Sequence, residues 1–149
     1  METHARRRSA RGVPVHAVVA TVLLAVFIFR VFAQLLQLSA PTPALPPFAA
    51  WESGAVPYPA LAAAQGAIIL VSGALIVAIF RRRLLPNRTI GIILLVAGGL
   101  YLAGSLFRLV AGYTFLADVS FFNDHLPAYF HIVLAGLVLT FGDFYRHGY

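Results

Sequence analysis

The chain has 149 residues, of which 60% are hydrophobic and only 11% charged, with a mean hydropathy of +0.86 and a formal net charge of +6. That charged share is about half the share in a soluble domain, and a water-soluble fold of this size cannot hide so much apolar surface. All eleven cations are Arg, nine of them beside apolar stretches where they act as orientation signals and headgroup contacts rather than as a nucleic-acid surface, and the absence of Cys excludes disulfides, thiolate metal sites, iron–sulfur clusters and Cys nucleophiles.

A crossing helix needs roughly 20 apolar residues for about 30 Å of hydrocarbon, so the length allows about four spans and no separate soluble catalytic domain. Residues 1–14 are polar and Arg-rich and lead into the apolar stretch 15–38. A basic segment before an apolar one also describes a signal peptide, but this stretch is longer than the usual signal core and carries Arg30, which favours a retained first helix. Between Ser39 and Ala60 fall six of the nine prolines, which exclude a regular helix or a central strand there. This Pro-rich segment reads as an outer loop. Its apolar members Leu45, Phe48, Trp51, Val56 and Tyr58 fold back on the bundle or lie in the headgroup zone, and an interfacial aromatic anchor is the simpler expectation.

The second span is predicted over 61–80, closed by Arg81, Arg82 and Arg83, and the third over 89–111, with Thr89 as its cap. So short a turn between them predicts antiparallel neighbours. A second outer loop carries Asn123, Asp124 and His125, and Pro127 opens a fourth span over 127–145 before the tail 146–149. The flanking Arg residues number four before the first span, four between the second and third, one after the fourth and none in either outer loop. The predicted fold is therefore an all-α membrane protein, a four-helix transmembrane bundle with both termini inside, expected in a plasma membrane of bacterial type. Small residues four apart, Ala63 with Ala67, Ala74 with Ala78 and Gly99 with Ala103, predict close helix approaches.

Ionisable groups inside spans cost roughly 2.5–3.5 kcal/mol each near the bilayer centre on insertion scales, and are functional candidates for that reason. Arg30 falls about 12 Å inside the first helix and Arg108 about 4–5 Å inside the third, both counted from the outer ends. Gln34 and Gln37 follow Arg30 at i+4 and i+7, and Tyr101, Ser105 and Arg108 repeat that spacing. Gln65 and His131 lie one turn below the outer starts of the second and fourth helices. The expectation is a polar pocket open to the outer surface, lined by Arg30, Gln34, Gln65, Tyr101, Ser105, Arg108 and His131. Outer loops carrying Glu52, Asp118, Asp124 and His125 would roof it and offer carboxylates to the two Arg. The alternative for each residue is structural: Arg108 snorkelling, Gln side chains bonding between helices, His131 bonding a carbonyl.

No cofactor is assigned. Haem is not expected, because His131 is outer whereas His16 and His147 lie at the inner boundary. A metal is not expected either, because His125 and His131 cannot share one helical face. No phosphate loop, nucleophile elbow or zinc-protease motif occurs, so no catalytic set is assigned. The leading expectation is a small non-catalytic membrane subunit or accessory protein. It would associate with lipids, other membrane subunits or copies of itself, and would hold lipid in the outer pocket. An embedded enzyme or binding protein for a quinone, lipid headgroup or other amphiphile is the main rival, and a channel or transporter subunit the weaker one.

Overall fold

A computed structural model of the chain describes residues 14–51, 56–116, 118–119 and 124–149. Four helices carry the described residues: α1 Val15–Ser39, α2 Tyr58–Phe80, α3 Arg88–Tyr113 and α4 His125–His147, with a short 3-10 turn at Phe48–Trp51 between the first two. Each of the four is long and apolar enough to cross a membrane. Below, "outer" means the end holding the α1–α2 and α3–α4 connections, and "inner" the opposite end.

The helix limits follow local chemistry. Helix α2 starts before the predicted Leu61, because Pro57 precedes it and Pro59 occupies its first turn, where a missing N–H costs nothing. Helix α4 likewise begins at His125, with Pro127 inside its first turn. The cap of α3 is Asn87, not Thr89. Its Oδ1 accepts from the backbone N–H groups of Thr89 (3.0 Å) and Ile90 (3.1 Å), which satisfies two donors that the helix leaves open.

Two further expectations are corrected by the packing. Helix α1 packs against both α2 and α4, and α4 packs against α3, so the spatial order is α2–α1–α4–α3. Helices α2 and α3, joined by the shortest connection, barely meet. The reason lies in where backbones can approach. A Cβ on Gly91 of α3 would stand 2.7 Å from the Arg146 backbone nitrogen of α4, and one on Gly142 of α4 would stand 2.9 Å from the Leu95 nitrogen of α3. These glycines draw α3 onto α4 and away from α2. The small-residue pairs expected to give close approaches do not: Ala63, Ala74, Gly99 and Ala103 are exposed, Ala67 is exposed in the gap between α2 and α3, and a Cβ on Gly99 would meet nothing within 4 Å.

The apolar core runs along the inner and middle bundle. Ala17, Ala20, Leu24 and Phe27 repeat at three and four residues on one face of α1 and meet Ile76 and Ile79 of α2 and Leu137, Phe141 and Phe144 of α4. At the inner end the chain's last residues brace the α2–α3 turn. Tyr149 donates its hydroxyl to the Leu84 carbonyl (3.1 Å), Gly148 at φ 80° lies against Pro86, and Arg82, itself at φ 51°, sits 5.0 Å over the Tyr149 ring.

The described part of the Pro-rich loop folds back on the bundle, where its 3-10 turn meets α1 and α4. Gln37 organises it: its Oε1 accepts from the Thr42 N–H (2.8 Å), and its Nε2 reaches the carbonyls of Thr42 (2.9 Å), Leu45 (2.7 Å) and Pro46 (2.8 Å). Trp51 donates its indole N–H to the same Pro46 carbonyl (2.9 Å) and is only 3% exposed. An indole so placed packs into the bundle as part of its outer core.

Candidate functional site: a polar compartment joined to an apolar cleft

Arg30 is the deepest charge in the described chain and organises the outer half of the bundle. Its guanidinium donates to Gln34 Oε1 one turn along α1 (3.1 Å) and to the Trp51 carbonyl of the folded loop (2.6 Å), and it stands 5.7 Å from the centre of the Phe130 ring of α4. Among the described residues no carboxylate lies within ion-pair distance of it. Asp118, Asp124 and His125 were candidates to roof the pocket. Asp118 is exposed in the loop, Asp124 meets Arg108 through its backbone carbonyl (3.4 Å), and His125 stacks at 3.8 Å on Tyr113. Glu52 and Asn123 lie outside the described residues.

Beside Arg30 is a cavity of about 170 Å³ lined by side chains of all four helices, among them Arg30, Gln65, Tyr101, Phe130 and His131. Four of the seven predicted pocket residues thus converge. Gln34 stands directly behind them, fully buried, and its Oε1 also accepts from Gln65 Nε2 (3.3 Å). The other two do not join. Ser105 returns its hydroxyl to the Tyr101 carbonyl of its own helix (2.8 Å), and Arg108 turns outward to the start of α4. A Ser on a helix commonly bonds back one turn in this way.

At the outer side of the compartment Trp51 packs on Phe130, with ring centres 6.1 Å apart, and its carbonyl holds Arg30. A second cavity of about 460 Å³ runs between α2 and α3 over a floor of α4, where the two helices fail to meet; Ala67, Val71, Leu75, Leu94, Val138 and Phe141 are among its lining residues. Ile68, Tyr101 and Leu134 line both spaces, so the two lie side by side. The larger space is in the size range of small-molecule sites, which are mostly apolar with few polar groups.

The polar atoms of the compartment are incompletely used. Gln65 Oε1, an acceptor, and Gln34 Nε2, a donor, are buried and without a hydrogen-bond partner among the described residues. His131 has a ring neighbour, Tyr101, at 5.7 Å. Buried polar groups are nearly always paired in native proteins, so these two atoms mark where a further polar partner would fit.

Two features escaped the sequence reading. The apolar cleft depends on which helix faces meet, a property no single helix reveals. Asp143, near the inner end of α4, accepts from His16 Nε2 of α1 and from His147 Nδ1 one turn on, both at 2.8 Å. A carboxylate only accepts, so each imidazole must be the donor. The inner half thus carries a polar link of its own, and the i, i+4 spacing of Asp143 and His147 was the available signal. Comparison with protein-family models, with curated proteins and with solved structures finds no match to this chain.

Proposed function

We propose that this is a non-catalytic membrane protein that takes up one amphiphile from the surrounding leaflet, seating its polar group beside Arg30 and its tail in the α2–α3 cleft. The observation that carries this reading is that the polar and apolar spaces lie side by side, with Ile68, Tyr101 and Leu134 lining both. The compartment lies toward the outer end, at Leu61–Ile68 of α2, and the cleft toward the middle, along Ala67–Leu75, so an occupant would have the orientation of a leaflet lipid. The cleft spans eight residue steps of α2, about 12 Å at the helical rise.

The compartment binds better than it could react. Among the described residues its lining has one imidazole, one guanidinium, one phenol and one amide, and no carboxylate. An acceptor on the ligand would complement the buried cation, whose burial is offset among the described residues by Gln34, the Trp51 carbonyl and the Phe130 ring. This reading serves an accessory subunit and a free-standing binding protein equally.

Native mass spectrometry of the protein released from its own membrane tests it. We expect one retained amphiphile per chain in the wild type. Ala67→Trp, which fills the cleft from an exposed position, should abolish retention while the protein still inserts. A wild type that retains no amphiphile, and takes none up from added lipid extract, overturns the proposal.

A further inference from the structure

The compartment's size and its unused atoms narrow the ligand class, on the premise that the site binds an amphiphile at all. A cavity of about 150 Å³ is enough for one benzene ring in a protein interior. The compartment, at about 170 Å³, is of that size and too small for a glycerophosphate with its substituents. Its walls suit a ring. Phe27, Tyr101, Phe130 and His131 line it, and aromatic neighbours favour flat partners in offset or edge contact.

The hydrogen-bond requirements are two-sided. Arg30 offers N–H donors and wants an acceptor. Gln65 Oε1, on a residue only 3% exposed that lines the cavity, wants a donor, and its amide cannot simply be reversed because its Nε2 already donates to Gln34. A fatty-acid carboxylate or a fully ionised phosphate accepts but has no hydrogen to give, and would leave Gln65 Oε1 unpaired against an anion. A ring hydroxyl does both. We infer that the compartment takes a hydroxylated six-membered ring carrying an apolar tail, the quinol class, and holds it more tightly than the corresponding quinone because only the quinol can donate to Gln65.

Binding alone is meant, with no electron transfer. The chain supplies its own reporter, since Trp51 is its single tryptophan and packs on Phe130 of the compartment wall. It also has no Cys, so no protein thiol adds to the quinone, and anaerobic conditions without added reductant keep both oxidation states as supplied.

The experiment is a Trp51 fluorescence titration of the full chain in lipid nanodiscs. Decyl-benzoquinone serves as the quenching probe, and decyl-hydroquinone, decanoate and decyl phosphate as competitors. Decyl-hydroquinone should displace the probe about tenfold more tightly than the quinone itself binds, the ratio that one net hydrogen bond gives, and the two anions should displace it poorly. Gln65→Leu should bring hydroquinone and quinone to near parity, with Gln65→Met as a second variant should the first fail to insert. If decanoate or decyl phosphate displaces the probe best, or if the hydroquinone preference survives both variants, the ring assignment falls while amphiphile binding stands. If neither the probe nor any competitor changes Trp51 emission, amphiphile binding itself falls.

Discussion

The contact between α3 and α4 can be tested by adding one methyl group. Gly91→Ala would place a Cβ 2.7 Å from the Arg146 nitrogen and 3.0 Å from its Cα and Cβ, atoms of the facing backbone that have no rotamer to escape into. Comfortable carbon contacts lie at about 3.5–4.0 Å, so the inner ends of α3 and α4 must separate by roughly 0.5–1 Å, which forfeits a quarter to a half of each contact's attraction. Overpacking of this kind costs about 1–3 kcal/mol. Alanine's better helix propensity returns at most about 1 kcal/mol. The net loss, about 1–2 kcal/mol, corresponds to roughly a 5–30-fold shift of the folding equilibrium toward the unfolded form. Gly142→Ala, with its Cβ 2.9 Å from the Leu95 nitrogen, should behave alike. Gly99→Ala and Gly104→Ala, whose Cβ atoms meet nothing within 4 Å, should be neutral or slightly stabilising. Reversible unfolding in mixed micelles, followed by circular dichroism, measures all four. If Gly91→Ala and Gly142→Ala unfold at the same denaturant fraction as Gly99→Ala, the two backbones are not in contact and the helix order argued above is wrong.

Three other outcomes are expected. Asn87→Ala should destabilise by about 1 kcal/mol through loss of the α3 cap, whereas Thr89→Ala should do little, as unfolding of the pair under the same conditions would show. Gln37→Leu removes the partner of four loop backbone groups, and should release the 40–51 segment. Amide exchange there should rise, with Trp51 emission moving to longer wavelength, while the helices keep their protection. Asp143→Asn should cost less than about 1 kcal/mol, because this pair of contacts is half-exposed and isolated ion pairs at such positions contribute little. A larger loss in the same unfolding assay would mean that the α1–α4 link at the inner end matters more than its exposure implies.

The four helices were legible because length and hydropathy alone decide whether a segment can cross a bilayer. Arg30 and Gln34 were also legible as partners, since i, i+4 residues meet on any helix. Gln65 and His131 could be placed at the same depth by counting residues, and depth turned out to bring them to one cavity. Facing could not be counted. Gly99 and Ala103 have the same spacing and size as residues that bring helices together, yet they point outward, while the closest approaches use Gly91 and Gly142, whose partners lie on another helix. Arg108 and Ser105 share the helix face pattern of Tyr101 but sit further out, where the start of α4 takes the Arg and the helix's own carbonyl takes the Ser. Trp51 was ambiguous for a different reason: the side chain of Gln37, which gathers three carbonyls of a Pro-rich segment, decides where the loop goes, and composition does not announce such a contact. Thr89 and Asn87 are both good caps, and only the backbone path distinguishes them.

The helix order has a mechanical meaning. Helices α2 and α3 are consecutive along the chain but stand at opposite ends of an open row, so the short strand of chain between them works as a bowstring across the inner mouth of the cleft. Because Gly148 and Tyr149 pin that string to the end of α4, the inner ends of α2 and α3 are held at a set separation. Among the described residues the outer end of α2 is held by α1 and by the ring contact of Tyr58 with Phe48 of the folded loop (5.1 Å), and that of α3 by α4. The arrangement is that of a clip, with its heel at the inner end, where the short connection sets the spacing of α2 and α3, and its jaws at the level of Gln65 and Tyr101.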